Sequence, residues 1–208
     1  MRLLRILTTF VFPVFLGHGH VSAQRHGMAI GLKASAGTST WQAAGLAVKP
    51  ILSGSLGAYM PLYALRKVEV QPELLLTAMG CELTRRENQK QLVRTAYVQL
   101  PLSVKYFVTP VFDLQAGGYA GYLLYAHSSG YGDQADIRDQ FRNMDFGLHV
   151  GLGLELISGL DFGVRYTQGM TGIWQNDNVV YPMNRWVHGS IGYRFFAVKR
   201  SFVNRRRR

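Results

Sequence analysis

The chain has 208 residues, enough for one domain with a substantial core. Its 23 Gly, 11 Tyr and 11 Phe favour β structure over a helix bundle. The formal net charge of +11 is concentrated at the two ends of the chain, so the weakly basic body between them argues against nucleic acid as a partner. The single cysteine, Cys81, excludes an internal disulfide.

The first 23 residues have the three parts of a secretory signal peptide. Arg2 and Arg5 supply a positive start, an apolar stretch follows over 6–16, and Val21-Ser22-Ala23 provides small residues before a cut. The apolar stretch is too short for a membrane anchor, which needs about 20 residues. We therefore predict a signal peptide over 1–23, a mature domain over 24–196 and a basic C-terminal tail over 197–208.

Alternating polarity identifies the strands and the solvent around them. The even-numbered residues from Met144 to Leu156 are all apolar, whereas Asp145, His149 and Glu155 fall on odd positions. This period of two extends over more residues than the roughly 5–6 of an ordinary strand, as expected for the tilted strands of a membrane barrel. Similar alternation predicts eight strands, over 28–35, 51–60, 68–77, 97–106, 113–124, 143–157, 160–167 and 185–196.

The connectors between these strands indicate how the barrel is oriented. We predict them over 36–49, 61–67, 80–94, 109–111, 128–142, 157–159 and 172–184, so that long polar loops alternate with shorter turns. Outer-membrane barrels have short periplasmic turns and long external loops. An open sheet edge in lipid would leave backbone groups unpaired, so the sheet must close. The sequence thus predicts an all-β, eight-stranded antiparallel transmembrane up-and-down β-barrel in the cell outer membrane.

Six stretches of the body resemble a known family. They are VQPELL at 70–75, VQLPLSVKY at 98–106, AGGYAGY at 116–122, FGLHVGLGLEL at 146–156, GVRY at 163–166 and GYRF at 192–195. In these stretches the chain is similar to the outer-membrane β-barrel domain common in Bacteroidetes, a porin-family group of small barrels that includes the PorT proteins of type IX secretion. The resemblance implies a barrel with outer-membrane lipid and the barrel assembly machinery as partners, and possible secretion-system partners.

The inward face carries charges that we interpret as a paired core rather than a reaction centre. No HExxH, GxSxG, CxxC or P-loop motif is present, so we predict no catalytic, cofactor-binding or metal-binding residue, and no enzyme activity. A barrel enzyme acting on lipids and a soluble lipocalin-like ligand-binding barrel are the alternatives. The predicted charge network consists of Glu69, Lys105, Glu155, Asp161, Arg165 and Arg194.

The predicted register makes the network specific. Glu69 should approach Lys105, and Arg194 should lie within salt-bridge reach of Glu155 or Asp161. Side chains of this size fill an eight-stranded lumen, which argues against a general porin.

Four local features also follow from the pattern. A three-residue turn at 157–159 requires Gly159 in the left-handed region, with Leu156 pairing with Leu160. Pro72 and Pro101 should interrupt the ladder between their strands. Tyr119 and Tyr125 are expected to point inward, with room provided by glycines at 117, 121, 151 and 153. Trp174, Tyr181 and Trp186 are expected in an aromatic girdle at the membrane surface.

Overall fold

The structure is a computed structural model that describes residues 27–43, 47–65, 67–84, 90–130, 133–175 and 182–199. The predicted signal peptide and residues 200–208 of the predicted tail lie outside these ranges, as does Tyr181. No helix within the described ranges is long and apolar enough to span a bilayer. The described strands are β1 (Gly27–Gln42), β2 (Ala47–Tyr59), β3 (Leu62–Leu65), β4 (Val68–Thr84), β5 (Lys90–Phe107), β6 (Phe112–Gly130), β7 (Asp133–Asp136), β8 (Met144–Glu155), β9 (Leu160–Gly169) and β10 (Met183–Lys199).

Eight long strands form a closed antiparallel ring, which confirms the predicted fold. The order around the ring is β1, β2, β4, β5, β6, β8, β9 and β10, and β10 returns to pair with β1. Two short strands add to this ring: β3 pairs with β1 and β4 beyond the end of β2, and β7 folds back on β6. Closure gives every long strand a hydrogen-bonded neighbour on both sides, so that the sheet has no open edge in lipid.

The strands are longer than the sequence pattern predicted, and two of the predicted long loops are wrong. β1 continues to Gln42, β4 to Thr84, and β5 begins at Lys90, so most of 36–49 and 80–94 is strand. The prediction missed this because the alternation reverses beyond the apolar band. On β4, Met79 and Leu83 are buried inside, while Glu82 is only half-buried on the outer face. A polar outer face indicates that these strand ends stand in water above the membrane.

The turn between β8 and β9 is as predicted. Gly159 has φ +90°, a left-handed conformation that glycine adopts without steric cost. Its N–H donates to the Leu156 carbonyl at 3.1 Å, and the Leu156 N–H donates to the Leu160 carbonyl at 2.8 Å. This three-residue loop places Glu155 directly opposite Asp161.

The predicted interruption at the two prolines is also confirmed. The β4–β5 ladder runs to Pro72 opposite Leu102 and resumes at Leu75 opposite Gln99, with no change of register. Pro101 is buried and Pro72 is half-buried on the outer face, so the two prolines lie on opposite faces. Because proline has no N–H to donate, the ladder has a gap here rather than a bulge.

The predicted inward orientation of Tyr125 is wrong. The β5–β6 ladder shifts register between Ala96 and Tyr97, so that Ala96 pairs with Tyr125 and Tyr97 pairs with Leu123. The extra residue in β6 reverses the faces above it, as a β-bulge does. Tyr125 is therefore 48 % exposed on the outer face, whereas Leu123 is fully buried inside.

Candidate functional site

Inward side chains fill the lumen in two layers of different chemistry. The lower one, here called the polar layer, lies at the level of the apolar outer band. The upper one, the apolar layer, lies inside the strand extensions. The polar layer contains Lys33, Glu69, Gln71, Glu73, Gln99, Ser103, Lys105, Asp113, Gln115, Asp145, His149, Glu155, Asp161, Arg165, His188 and Arg194. The apolar layer contains Trp41, Met79, Cys81, Leu83, Val93, Tyr97, Leu123, Ala126, Phe141, Ile173 and Trp186.

An ion-pair chain occupies the periplasmic end of the polar layer. Lys105 Nζ lies 2.8 Å from Glu155 Oε1, and Arg194 Nη2 lies 2.7 Å from Glu155 Oε2. Lys105 Nζ is also 3.9 Å from Glu69 Oε1, across the β4–β5 hairpin. The turn at Gly159 brings Asp161 beside this chain, where its carboxylate accepts a hydrogen bond from the Tyr59 hydroxyl. The structure thus brings together five of the six residues of the predicted charge network.

The sixth predicted residue, Arg165, lies in a second cluster centred on Glu73. Arg165 donates from Nη2 to Glu73 Oε1 at 2.8 Å and from Nη1 to Oε2 at 3.2 Å. Lys33 Nζ donates to the same Oε1 at 2.9 Å, and Gln115 Oε1 accepts from Arg165 at 2.8 Å. A bidentate guanidinium pair with further hydrogen bonds offsets part of the desolvation cost of buried charges.

The charge network predicted from the sequence does not include Glu73 and Lys33. Their alternation was visible in the sequence, but the contact with Arg165 crosses the lumen between β4 and β9. Strand pairing alone specifies neighbours around the ring, and not which side chains meet across it.

Carboxylates outnumber cations in the polar layer. Glu69 and Asp113 are fully buried, and neither accepts a hydrogen bond within the described ranges. Asp145, higher in the layer, accepts from the Tyr119 hydroxyl and from Asn184 Nδ2, each at 2.9 Å. Within the described part of the chain, no three His, Cys, Asp or Glu side chains are arranged to hold a metal ion.

The apolar layer closes the external end of the lumen. Two connectors meet there: Phe141 forms a β-bridge with Trp174, and the Arg142 N–H donates to the Ile173 carbonyl at 2.8 Å. Phe141 and Ile173 are each only 2 % exposed, so both enter the barrel mouth. Their packing against the strand extensions resembles the core of a soluble protein.

The expected girdle position is wrong for both described tryptophans. Trp186 is 3 % exposed inside the barrel, where its ring stacks on His188 with centroids 3.8 Å apart. Trp174 packs edge-on against Trp41 within the apolar layer, at 6.0 Å between centroids. Trp186 lies on β10 where the polarity of the alternation reverses, and Trp174 lies in the connector between β9 and β10, which packs against the apolar layer.

The glycine that makes room for Tyr119 is Gly147, and not one of the four expected, at 117, 121, 151 and 153. A Cβ at Gly147, directly opposite Tyr119, would collide with the Tyr119 ring. At Gly117 an added Cβ would meet the Leu102 carbonyl oxygen at 2.0 Å and the His149 ring at 2.9 Å, and at Gly153 it would meet the Asp113 carboxylate. At these three positions the missing Cβ thus leaves room for a side chain on a neighbouring strand.

One contact has the geometry of a nucleophile and its base. Ser103 Oγ lies 2.9 Å from His149 Nε2, a pair that sequence reasoning did not find because it crosses from β5 to β8. Arg165 Nη2 also donates to Ser103 Oγ at 3.3 Å. The cavity beside His149 and Arg165 measures only about 10 Å³, enough for about one water. The pair therefore has no room for a substrate, and hydrogen-bonded packing accounts for it.

The external rim carries an open polar depression of about 340 Å³. Arg138, Asp139, Asn143 and Gln175 line it together with Phe141. It is separate from the filled lumen and faces the side of the loops.

Comparison with known proteins places the chain in a family. Residues 24–175 match the family described as outer membrane protein beta-barrel domain. Among solved structures, the Neisserial surface protein A is similar, with 11% identity, a TM-score of 0.51, and coverage of 82% of this chain and 100% of that one.

Two further barrels resemble this chain with lower scores. The attachment invasion locus protein Ail of Yersinia pestis is 15% identical with a TM-score of 0.49, covering 82% of this chain and 99% of that one. The E. coli outer membrane protein W is 16% identical with a TM-score of 0.42, covering 82% and 100%. No curated protein sequence matches the chain significantly. The chain belongs to the outer membrane protein beta-barrel domain family and is a small β-barrel of the cell outer membrane.

Proposed function

We propose that this barrel does not conduct solutes and acts as a structural or interaction protein through its external rim. The observation that carries the proposal is the filling of the lumen at two successive levels, first by the polar layer and then by the apolar layer. Between them, the cavity beside Trp186 and Arg165 holds about 10 Å³, far less than a water-filled channel requires. A general porin would need a continuous aqueous path.

Conductance in planar bilayers tests this proposal. The purified wild-type protein should give no steady, large single-channel currents. A variant combining E73A, R165A and W186A removes the central ion pair and one aromatic ring, and should conduct more than wild type. An open general porin in the same bilayers controls for insertion. Steady, large currents from the wild type would refute the proposal.

The same packing argues against an enzyme acting on lipids. Ser103 and His149 lie inside the filled lumen instead of at a rim, where a lipid could reach them. A soluble lipocalin-like binder is excluded by the membership of an outer-membrane family. Phospholipid hydrolysis by the purified barrel, lost in an S103A variant, would overturn this assignment.

Two partner classes follow from the strand ends and the sequence. Phe195, near the end of β10, is 55% exposed on the outer face and offers the aromatic residue that the barrel assembly machinery reads in a last strand. The PorT-like stretches support an accessory role in secretion. Deletion of the gene followed by quantification of exported proteins tests that role. Unchanged export would refute the accessory role in secretion.

A further inference from the structure

Arginine and histidine side chains mark the external edge of the apolar outer band. On the outer face of β5, Arg94 follows Ala96 toward the loops, and on β6 His127 follows Tyr125. Arg185 follows Val187 in the same way on β10, and Arg142 directly precedes the part of β8 that faces lipid. Arg94, His127 and Arg185 thus occupy the first outward positions beyond the band on three of the eight long strands, and Arg142 lies two residues before a fourth, β8.

The arginines have no carboxylate within 4.0 Å in the described part of the chain. Arg185 donates from Nε to Gln168 Oε1 at 3.2 Å and from Nη2 to Gln42 Oε1 at 2.5 Å. Arg142 Nε donates to the Trp174 carbonyl at 3.2 Å. These acceptors orient the guanidinium groups without neutralising them.

The charges around Arg94 show the same pattern. Its strand partner is His127, whose ring stacks on Tyr125 with centroids 5.8 Å apart. Asp136, opposite His127, accepts a hydrogen bond from the Arg138 N–H instead. Further from the membrane, by contrast, Lys90 faces Glu82 at 3.7 Å. A cation that no described carboxylate compensates, beside an exposed tyrosine, is suited to the headgroup region of a membrane.

The periplasmic edge of the same outer face is different. Val108, Leu156 and Phe195 are exposed and apolar there, and Lys67 lies in the turn between β3 and β4. The described arginines of the outer face therefore lie at the external edge, which meets the outer leaflet. In Gram-negative outer membranes that leaflet consists of lipopolysaccharide, whose lipid A carries phosphate groups.

We propose that this cationic edge binds the lipid A phosphates of lipopolysaccharide. A guanidinium donates two parallel hydrogen bonds to phosphate oxygens, which makes arginine suited to this ligand. β5 and β10 lie on opposite sides of the eight-stranded ring, so Arg94 and Arg185 contact different lipid molecules. The proposal is independent of the closed lumen, because these side chains are on the outer surface.

Lipid titration of the refolded full-length barrel in detergent micelles tests the proposal. The probes are purified lipopolysaccharide, the same lipopolysaccharide after enzymatic dephosphorylation, and phosphatidylglycerol. Binding is measured by the rise in unfolding temperature and by the apparent Kd. Intact lipopolysaccharide should bind wild type more tightly than either other lipid. A variant combining R94Q, R142Q and R185Q should bind it at least tenfold more weakly, a change of about 1.4 kcal/mol.

Two matched variants keep the test decisive. K67Q changes a cation at the periplasmic edge and should bind as wild type does. R94Q alone removes an exposed charge that has no carboxylate partner among the described residues, so it should fold normally and show part of the loss even if the triple variant does not fold. Unchanged affinity in R94Q and in the folded triple variant would overturn the proposal. So would equal binding of dephosphorylated lipopolysaccharide or of phosphatidylglycerol, which would indicate adhesion without recognition of lipid A phosphate.

Discussion

The polar layer holds Glu73, Arg165 and Lys33 in one ion-pair cluster, whereas the apolar layer packs Leu123 and Trp186 against residues from two loops. The difference follows from what surrounds each level. Where lipid covers the outer face, burying apolar side chains inside brings no gain, so paired charges can fill the lumen. Where water surrounds the strand extensions, an apolar interior stabilises the sheet as in a soluble protein. The barrel therefore has a polar interior and an apolar exterior within the membrane, and an apolar interior with a polar exterior above it.

The largest expected effect comes from removing the shared carboxylate of the polar layer. E73Q leaves Arg165 and Lys33 buried without their anion, and should lower the free energy of unfolding by about 3–5 kcal/mol. Urea unfolding in phospholipid vesicles measures the change. E82Q is the control, because Glu82 pairs at 3.7 Å with a Lys90 side chain that is 62% exposed, and it should cost less than about 1 kcal/mol. Similar losses in both variants would show that the polar layer does not stabilise the barrel.

The apolar layer is tested by two adjacent leucines. Leu123 is fully buried inside, whereas Leu124 is 42% exposed on the outer face. L123A should destabilise the barrel by about 2–5 kcal/mol by leaving a cavity. L124A should cost less than about 1 kcal/mol, since it only reduces contact with lipid. If unfolding in vesicles shows equal losses, the external level does not behave as a soluble core.

Sequence alternation predicts the polar layer better than the apolar one. From Val68 to Ala78 the polar and apolar positions of β4 match the expectation for a strand between lipid and lumen, so Glu69 and Lys105 could be placed opposite each other. Beyond Met79 the period of two continues, but the outward residues become polar and the inward residues apolar. If lipid is assumed to surround the whole strand, this part of the sequence is mistaken for a polar loop. The bulge near Tyr125 changes parity without any glycine or proline to signal it.

A third change tests the boundary between the layers. Tyr119 reaches Asp145 with its hydroxyl, and its ring lies against Gly147. G147A places a methyl group 2.3 Å from the Gln168 carbonyl oxygen and 2.4 Å from that ring, and should cost about 1–3 kcal/mol through overpacking. G189A is the matched control, because a Cβ at Gly189 meets only the Gly163 carbonyl at 3.9 Å. Vesicle unfolding that gives equal stability for the two variants would contradict the close fit at this boundary.

The smallest expected effect concerns the β8–β9 turn, which places Glu155 opposite Asp161 at the periplasmic end of the polar layer. Gly159 combines φ +90° with an Arg194 carbonyl that an added Cβ would approach to 2.7 Å. G159A should therefore cost about 1 kcal/mol or somewhat more, since alanine must strain or shift the turn. S158A, at an exposed neighbouring position, should leave the unfolding free energy unchanged.

A shift of the turn in G159A would also move Arg194, whose N–H donates to the Gly159 carbonyl at 2.8 Å and whose guanidinium pairs with Glu155. A double-mutant cycle with E155Q measures that coupling. Additive losses for G159A and E155Q would show that the turn does not set the position of the ion-pair chain, and that strand pairing alone does so.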